Sequence, residues 1–139
     1  MLAIKEKRIS HGMTVEHLAE MVDISARELH SIENGKHEPR IEILYNIIMV
    51  LNDKNDGSSC YVWNPLTLSN ARVSRNMTQD ELAKMIGVSR RSVTRWENIL
   101  NPSQPSRRQF YKLIKLFSMK IEEFFVLKGR GAKAIVQKL

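Results

Sequence analysis

Three arginines, Arg90, Arg91 and Arg95, stand close together in the second half of the chain, with serine and threonine between them. The guanidinium group of arginine donates two parallel hydrogen bonds to O6 and N7 of guanine, the commonest specific contact to a base edge in the major groove. Hydroxyl, amide and further guanidinium groups nearby can bond to phosphate oxygens. This chemistry predicts a surface that reads duplex DNA. The predicted DNA contacts are Thr78, Gln79, Ser89, Arg90, Arg91, Ser92, Thr94, Arg95, Arg107 and Arg108.

Most of these side chains lie in residues 78–98, whose pattern predicts two helices joined by a tight turn. Thr78 and Glu81 have the spacing of a capping box that begins a helix. Gly87 can adopt the positive φ angle that a sharp turn requires, and Ser89 can cap the second helix. Such a helix-turn-helix presents the arginines on its outer face; a plain amphipathic helix pair with a solvated basic face is the alternative. The apolar residues expected to join the helices are Leu82, Ala83, Met85, Ile86, Val88, Val93 and Trp96.

The chain also contains a repeat. Residues 2–34 align without gaps on residues 66–98, with 12 identities in 33 positions. Beyond Asn34 the offset grows by two, so the second copy has two extra residues in its next loop. The copies differ in charge: residues 1–65 carry 7 Lys and Arg against 10 Asp and Glu, whereas residues 66–139 carry 15 against 5. This contrast, −3 against +10, predicts that the second copy carries the affinity for a polyanion.

Each copy resembles the lambda-repressor-like helix-turn-helix domain, also called the Cro/C-type or XRE domain. The resemblance is stronger in the second copy, which has M-T-Q-x-E-L-A at 77–83 and S-x-x-S-V-x-R-W-E-N at 89–98. It covers about 1–52 and 66–126, nearly the whole chain. The resemblance implies an all-α fold of two tandem bundles, each of four to five helices, which bind operator DNA and usually form dimers.

The resemblance also implies roles for single residues. Family members use an amide at the position of Gln79 to contact phosphate and to brace the recognition helix. Salt bridges between Arg8 and Glu33, and between Arg72 and Glu97, would tie the first helix of each copy to its third helix. These two pairs are then structural and not catalytic.

Helical periodicity and capping residues set the expected elements and domains. Helices are predicted over 2–11, 14–22, 25–34 and 38–51, and over 66–75, 78–85, 89–98, 107–117 and 121–126. The expected parts are a degenerate helix-turn-helix domain (1–52), a linker with an apolar plug (53–65), a DNA-binding domain (66–127) and a basic tail (128–139). We expect the plug, Cys60 to Trp63, to pack on the first domain in place of a fifth helix. We expect the tail to be mobile and solvated, with phosphate contact as the alternative.

The first copy departs from the DNA-reading pattern. Val15 replaces Gln79 and cannot donate to a phosphate, and Glu28 replaces Ser92 with a carboxylate that phosphates repel. Asp23 replaces the turn glycine, which aspartate can tolerate. Across the outer face of the third helix the formal charge falls from +3 to zero. We therefore interpret the first domain as a copy kept for dimerisation or for a protein or peptide regulator; a second DNA reader is the alternative.

Other kinds of site are not predicted. The four histidines do not have the i, i+4 spacing of paired metal ligands, and no cysteine cluster accompanies them. No phosphate-cradling glycine loop or nucleophile–base pattern is present, so neither a cofactor nor an enzymatic activity is predicted. Cys60 is the single cysteine of the sequence, which permits no internal disulfide and fits a reducing cytoplasm.

The sequence as a whole predicts a cytoplasmic, nucleoid-associated transcriptional regulator, a repressor, that binds operator DNA as a homodimer and has no membrane partner. The alternatives are an antitoxin-like or adaptor module that binds a protein, and a DNA-structuring or partition protein of a mobile element. Apolar residues at 61–63 or at 124–126 are the candidate dimer surfaces, although either group can instead be core. A monomer that uses its two copies in tandem is the alternative to the dimer.

Overall fold

A computed structural model of the chain describes residues 3–55 and 59–129. Within these ranges the chain forms eight α-helices, one 3-10 helix and two short strands. In order they are α1 (Ile4–Ser10), α2 (Val15–Met21), α3 (Ala26–Glu33), α4 (Ile41–Leu51), β1 (Ser59–Trp63), α5 (Pro65–Val73), α6 (Gln79–Ile86), α7 (Arg90–Trp96), α8 (Arg107–Phe117), the 3-10 helix (Ile121–Phe124) and β2 (Phe125–Gly129). The predicted tandem helical fold is confirmed, and the small sheet formed by β1 and β2 is an addition that the sequence analysis missed.

The described chain divides into two compact units. The first contains residues 3–55, 59–61 and 127–129, and the second contains residues 62–126. Each unit therefore holds one copy of the repeat, and each strand contributes residues to both units.

The core of the first unit contains residues of α2, α3 and α4. Leu18, Leu29 and Ile47 are completely buried there. Most residues of α4 are buried, including the polar Asn46. The Asn46 amide accepts from the N–H of Tyr61 at 2.7 Å and donates to its carbonyl at 2.9 Å. Tyr61 thus packs on α4, as expected of the apolar plug, with its ring 5.1 Å from that of Tyr45.

Trp63, at the other end of the plug, has a different place from the one predicted. It lies in the core of the second unit, 2% exposed, and stacks on Phe124 with ring centroids 5.6 Å apart. The rings of Phe110 and Phe125 meet it edge-on. The expectation that the whole plug packs on the first domain is therefore wrong, because an aromatic cluster in the second unit buries the indole.

Several helix boundaries also differ from the prediction. The fourth helix begins at Ile41 and not at Glu38, because Pro39 disfavours helical geometry in the residue before it and Arg40 takes the N-cap position. Residues 121–126 form a 3-10 turn followed by the start of β2, and not a fifth α-helix. In the predicted tail, residues 128 and 129 belong to β2, and residues 130–139 lie outside the described part of the chain.

Met85, one of the apolar residues expected to join the two helices, is 61% exposed. On α6 the buried arc is formed by Leu82, Ala83 and Ile86, and a turn of 100° per residue places Met85 beyond its edge.

Candidate nucleic-acid interface

The α6–turn–α7 segment is held by local hydrogen bonds of its caps. Thr78 Oγ1 accepts from the N–H of Glu81 at 3.1 Å, and the Glu81 carboxylate accepts from the N–H of Thr78 at 3.0 Å. This capping box begins α6, and the bond from the Thr78 N–H holds the pKa of the Glu81 carboxyl below its usual 4.5. Gly87 ends α6 in the left-handed region, at φ 77°. Ser89 Oγ then accepts from the N–H of Ser92 and starts α7.

The outer face of α7 is cationic. Val93 and Trp96 face inward and are buried, whereas Arg90, Arg91 and Arg95 are exposed. Among residues 3–55 and 59–129, no carboxylate oxygen lies within 4.0 Å of a guanidinium nitrogen of these three arginines. The three arginines are therefore available to an anionic or base-edge partner.

A hydrogen-bond network fixes α7 against α5 and α6. Arg72 forms two bonds with the Glu97 carboxylate, at 2.8 and 2.9 Å. Glu97 also accepts from the Gln79 amide at 3.1 Å, and the Gln79 carbonyl accepts from Thr94 Oγ1 at 2.7 Å. The hydrogen bond to Glu97 raises the pKa of Arg72, against the opposing effect of burial. Both ends of the Gln79 amide are thus used to brace α7, which is the role the family resemblance implies for it.

Arg107 and Arg108 lie at the start of α8, and both are exposed. Ser106 caps this helix in a capping box with Gln109. The free N–H groups and positive end of the helix dipole add to the two charges and favour an anion such as phosphate. Farther along α8, Lys112 Nζ donates to the carbonyl of Ile86 at 3.3 Å, which joins α8 to the end of α6.

The first copy has the same supporting frame for its third helix, namely the arginine–glutamate pair and the left-handed turn, but a different outer surface. Arg8 forms two bonds with Glu33, at 2.7 and 3.1 Å, so both implied salt bridges are present. The carboxylate hydrogen bond raises the pKa of Arg8 as it does that of Arg72. Asp23 holds the turn at a positive φ of 61°, as Gly87 does in the second copy. The frame that positions a recognition helix is therefore conserved between the copies.

The outer surface of α3 is less cationic than that of α7, because Glu28 offsets the charge of Arg27. The side chain at the position of Gln79 is Val15, which offers no hydrogen bond to Glu33. Ser25 caps α3 by accepting from the N–H of Glu28. The sequence S-x-x-E at 25–28 is typical of a capping box, but the Glu28 carboxylate lies 3.6 Å from His37 Nε2 and α3 has only the serine half of the box. Arg27 is the one arginine on this helix.

Among the described residues, no group of three or more His, Cys, Asp or Glu side chains could hold a metal ion. None of the helices described in residues 3–55 and 59–129 combines the length and apolar character needed to cross a membrane.

This fold and geometry define a helix-turn-helix protein of the DNA-binding class. A family model described as helix-turn-helix matches residues 4–54 and 68–124. The chain therefore belongs to the XRE-type helix-turn-helix family of DNA-binding transcription regulators, and contains two tandem copies of its domain.

Relatives in two archaea share one domain's length with this chain. An uncharacterised HTH-type transcriptional regulator of Archaeoglobus fulgidus is 40% identical over 55 residues, which are 40% of this chain and 75% of that relative. One from Methanocaldococcus jannaschii is 38% identical over 55 residues, again 40% of this chain, and 80% of that relative. No solved structure gives a significant match to the chain.

Proposed function

We propose that the protein is a sequence-specific transcriptional repressor that places α7 of its second copy in the major groove of operator DNA. The observation that carries this proposal is a set of three exposed arginines on a helix braced by Gln79, Glu97 and Arg72. None of the three has an acidic partner in the part of the chain that the structure describes. Arginine side chains on a fixed helix can make the directional bonds to guanine that specify a sequence. Occupancy of an operator that overlaps a promoter would block transcription.

The remaining predicted contacts fit the phosphate backbone. Arg107 and Arg108 start α8 with no acidic partner within the described residues. Ser89 and Thr78 lie at the N-termini of α7 and α6, where backbone N–H groups are also available to phosphate. We assign orientation on the duplex to these four residues, and base reading to Arg90, Arg91 and Arg95, with the small Ser92 and Thr94 beside them.

The first unit has a different proposed role. Its α3 presents Glu28 and Arg27 on the face where α7 presents arginines, so its formal charge there is zero. Affinity for DNA rises with the number of phosphates neutralised, and this face neutralises few. We propose that residues 1–65 take part in dimerisation or bind a protein or peptide regulator.

A two-fold dimer is the proposed working unit. Each chain offers one cationic recognition helix, and two such helices spaced about 34 Å apart read both halves of an inverted repeat. The apolar groups considered as dimer surfaces are not free for this purpose: Trp63, Phe124, Phe125 and Val126 are buried, and residues 61 and 62 are half-buried. Light scattering of the complex is expected to give two chains per site, and one chain per site would contradict the dimer.

A footprint on the DNA upstream of the protein's own gene tests the proposed function. We expect protection of an inverted repeat that overlaps a promoter, and reduced transcription from that promoter when the purified protein is added in vitro. Protection of the promoter with increased transcription would contradict repression. Equal binding of every duplex tested would contradict sequence-specific recognition.

A further inference from the structure

The recognition helix needs support at its C-terminal end. It has seven residues, and a helix this short owes its stability to packing and not to its own hydrogen bonds. The last carbonyls of a helix have no partner within it. Here the carbonyl of Arg95 accepts from the N–H groups of Asn98 and Ser103, which follow the helix in the chain.

The carbonyl of Trp96 is supported differently. It accepts a hydrogen bond of 2.9 Å from the indole Nε1–H of Trp63, which precedes it by 33 residues and lies outside the helix-turn-helix. Both residues are buried, with 2% and 3% of their surface exposed, so water cannot substitute for this bond.

Trp63 itself is tightly held. Its ring is stacked on Phe124 and meets Phe110 and Phe125 edge-on, with centroids 5.6 to 6.0 Å away. The next residue, Asn64, donates its N–H to the carbonyl of Phe124 at 2.8 Å. The indole N–H is thus a fixed donor, and its position fixes the end of α7.

From this geometry we propose that Trp63 is a positioning residue for DNA recognition, which sets the orientation of α7 against the base edges. This proposal rests on the proposed function of α7. Bidentate bonds from arginine to guanine need a defined direction, whereas ionic contacts to phosphate tolerate a small shift of the helix. Loss of the indole donor should therefore reduce specific binding more than non-specific binding.

The variant Trp63→Phe tests this proposal because it keeps an aromatic ring and removes the N–H donor. The probe is the duplex selected in vitro from random DNA by the full-length wild-type protein, compared with a scrambled duplex of the same composition. We expect the Kd for the selected duplex to rise about tenfold and the Kd for the scrambled duplex to stay within about twofold.

A matched control separates positioning from stability. Phe124→Leu disturbs the same aromatic cluster but removes no hydrogen bond to α7. It should lower the thermal midpoint while leaving the ratio of specific to non-specific affinity unchanged. A similar fall of this ratio in Phe124→Leu would mean that Trp63 acts through stability alone, and would overturn the proposal.

A measurement on the wild-type protein covers the case in which Trp63→Phe does not fold. The indole Nε1–H of Trp63 should exchange slowly with solvent in NMR, and more slowly in the complex with the selected duplex than with the scrambled one. Fast exchange in the specific complex would overturn the proposal. If the wild-type protein selects no sequence at all, the proposed function fails; if it does, but Trp63→Phe discriminates equally well, only the role of Trp63 fails.

Discussion

Gln79 and its counterpart Val15 occupy the same place in the two copies but have different neighbours. Gln79 joins Glu97 to Thr94, so α7 is linked to α6 through a single amide. In the first copy Arg8 bonds to Glu33 in the same way, but Val15 there cannot add the bond that the Gln79 amide makes. The arginine–glutamate pair is therefore present even in the copy that has valine in place of the glutamine.

Gln79→Val, which makes the second copy resemble the first at this position, should weaken operator binding. The variant loses two hydrogen bonds of the brace, each worth about 1 kcal/mol. It also loses the phosphate contact that the family resemblance implies for Gln79. Fluorescence anisotropy with labelled operator measures the effect. The matched change Val15→Gln in the first copy should leave operator affinity unchanged, and a gain of affinity there would show that the first copy also reads DNA.

Arg90 and Arg108 should differ in the kind of binding they support. Arg90→Ala should cost about 1–3 kcal/mol of specific binding because a base contact is lost. Arg108→Ala should weaken binding to all duplexes alike and reduce the slope of log K against log salt concentration by about one unit. Titrations at several salt concentrations distinguish the two, and a sequence-dependent effect of Arg108→Ala would contradict its assignment to phosphate.

At the scale of elements, the sequence predicted local structure well and non-local pairing poorly. The bounds of α8 agree with the prediction because Ser106 and Gln109 form a local capping box. The strands were missed because each has five residues and its partner lies more than 60 residues away in the chain. Trp63 was misassigned for the same reason: nothing in its neighbourhood reveals a bond to Trp96. No local feature of the sequence indicates in which of the two units the Trp63 side chain is buried.

Gly87→Ala should destabilise the second unit. Gly87 has a φ of 77°, and a Cβ there would meet no atom closer than Lys112 Nζ at 3.9 Å, so the cost is conformational and not steric. The free energy of unfolding in urea should fall by about 1 kcal/mol. Met85→Ala, on the exposed side of α6, is the control and should change stability little. Equal stability of Gly87→Ala and the wild type would contradict the left-handed turn.

The capping box of α6 should make stability depend on pH. The pKa of Glu81 is lower in the folded protein than its usual 4.5. The ionised carboxylate therefore stabilises the folded state fully above pH 4.5, and this stabilisation is lost as the pH falls through the folded-state pKa. The difference in unfolding free energy between the wild type and Glu81→Gln should therefore be smaller at about pH 3 than at about pH 7. A pH-independent effect of Glu81→Gln would contradict the charged cap.

At the scale of the whole molecule, the two halves of the sequence, each of which contains one copy of the repeat, have opposite net charges. Residues 1–65 carry −3 and residues 66–139 carry +10. The sequence predicted this division of charge and the shared frame, since both follow from residue type and spacing. It also placed the arginines on the outer face of α7, where they are exposed. It did not predict the hydrogen bond from the Thr94 hydroxyl to Gln79 or that from Trp63 to Trp96, which only the folded chain reveals.

Guanine methylation interference on the footprinted operator tests the central claim, that α7 reads DNA and α3 does not. The matched substitutions are Arg91→Ala in the second copy and Arg27→Ala at the aligned position of the first. In the wild-type complex, methylation of guanine N7 in each half-site should block binding, because arginine bonds to that atom. Arg91→Ala should remove the interference at one guanine in each half-site, and Arg27→Ala should leave every position as in the wild type. Loss of interference with Arg27→Ala, or an unchanged pattern with Arg91→Ala, would contradict the assignment of α7 as the reader.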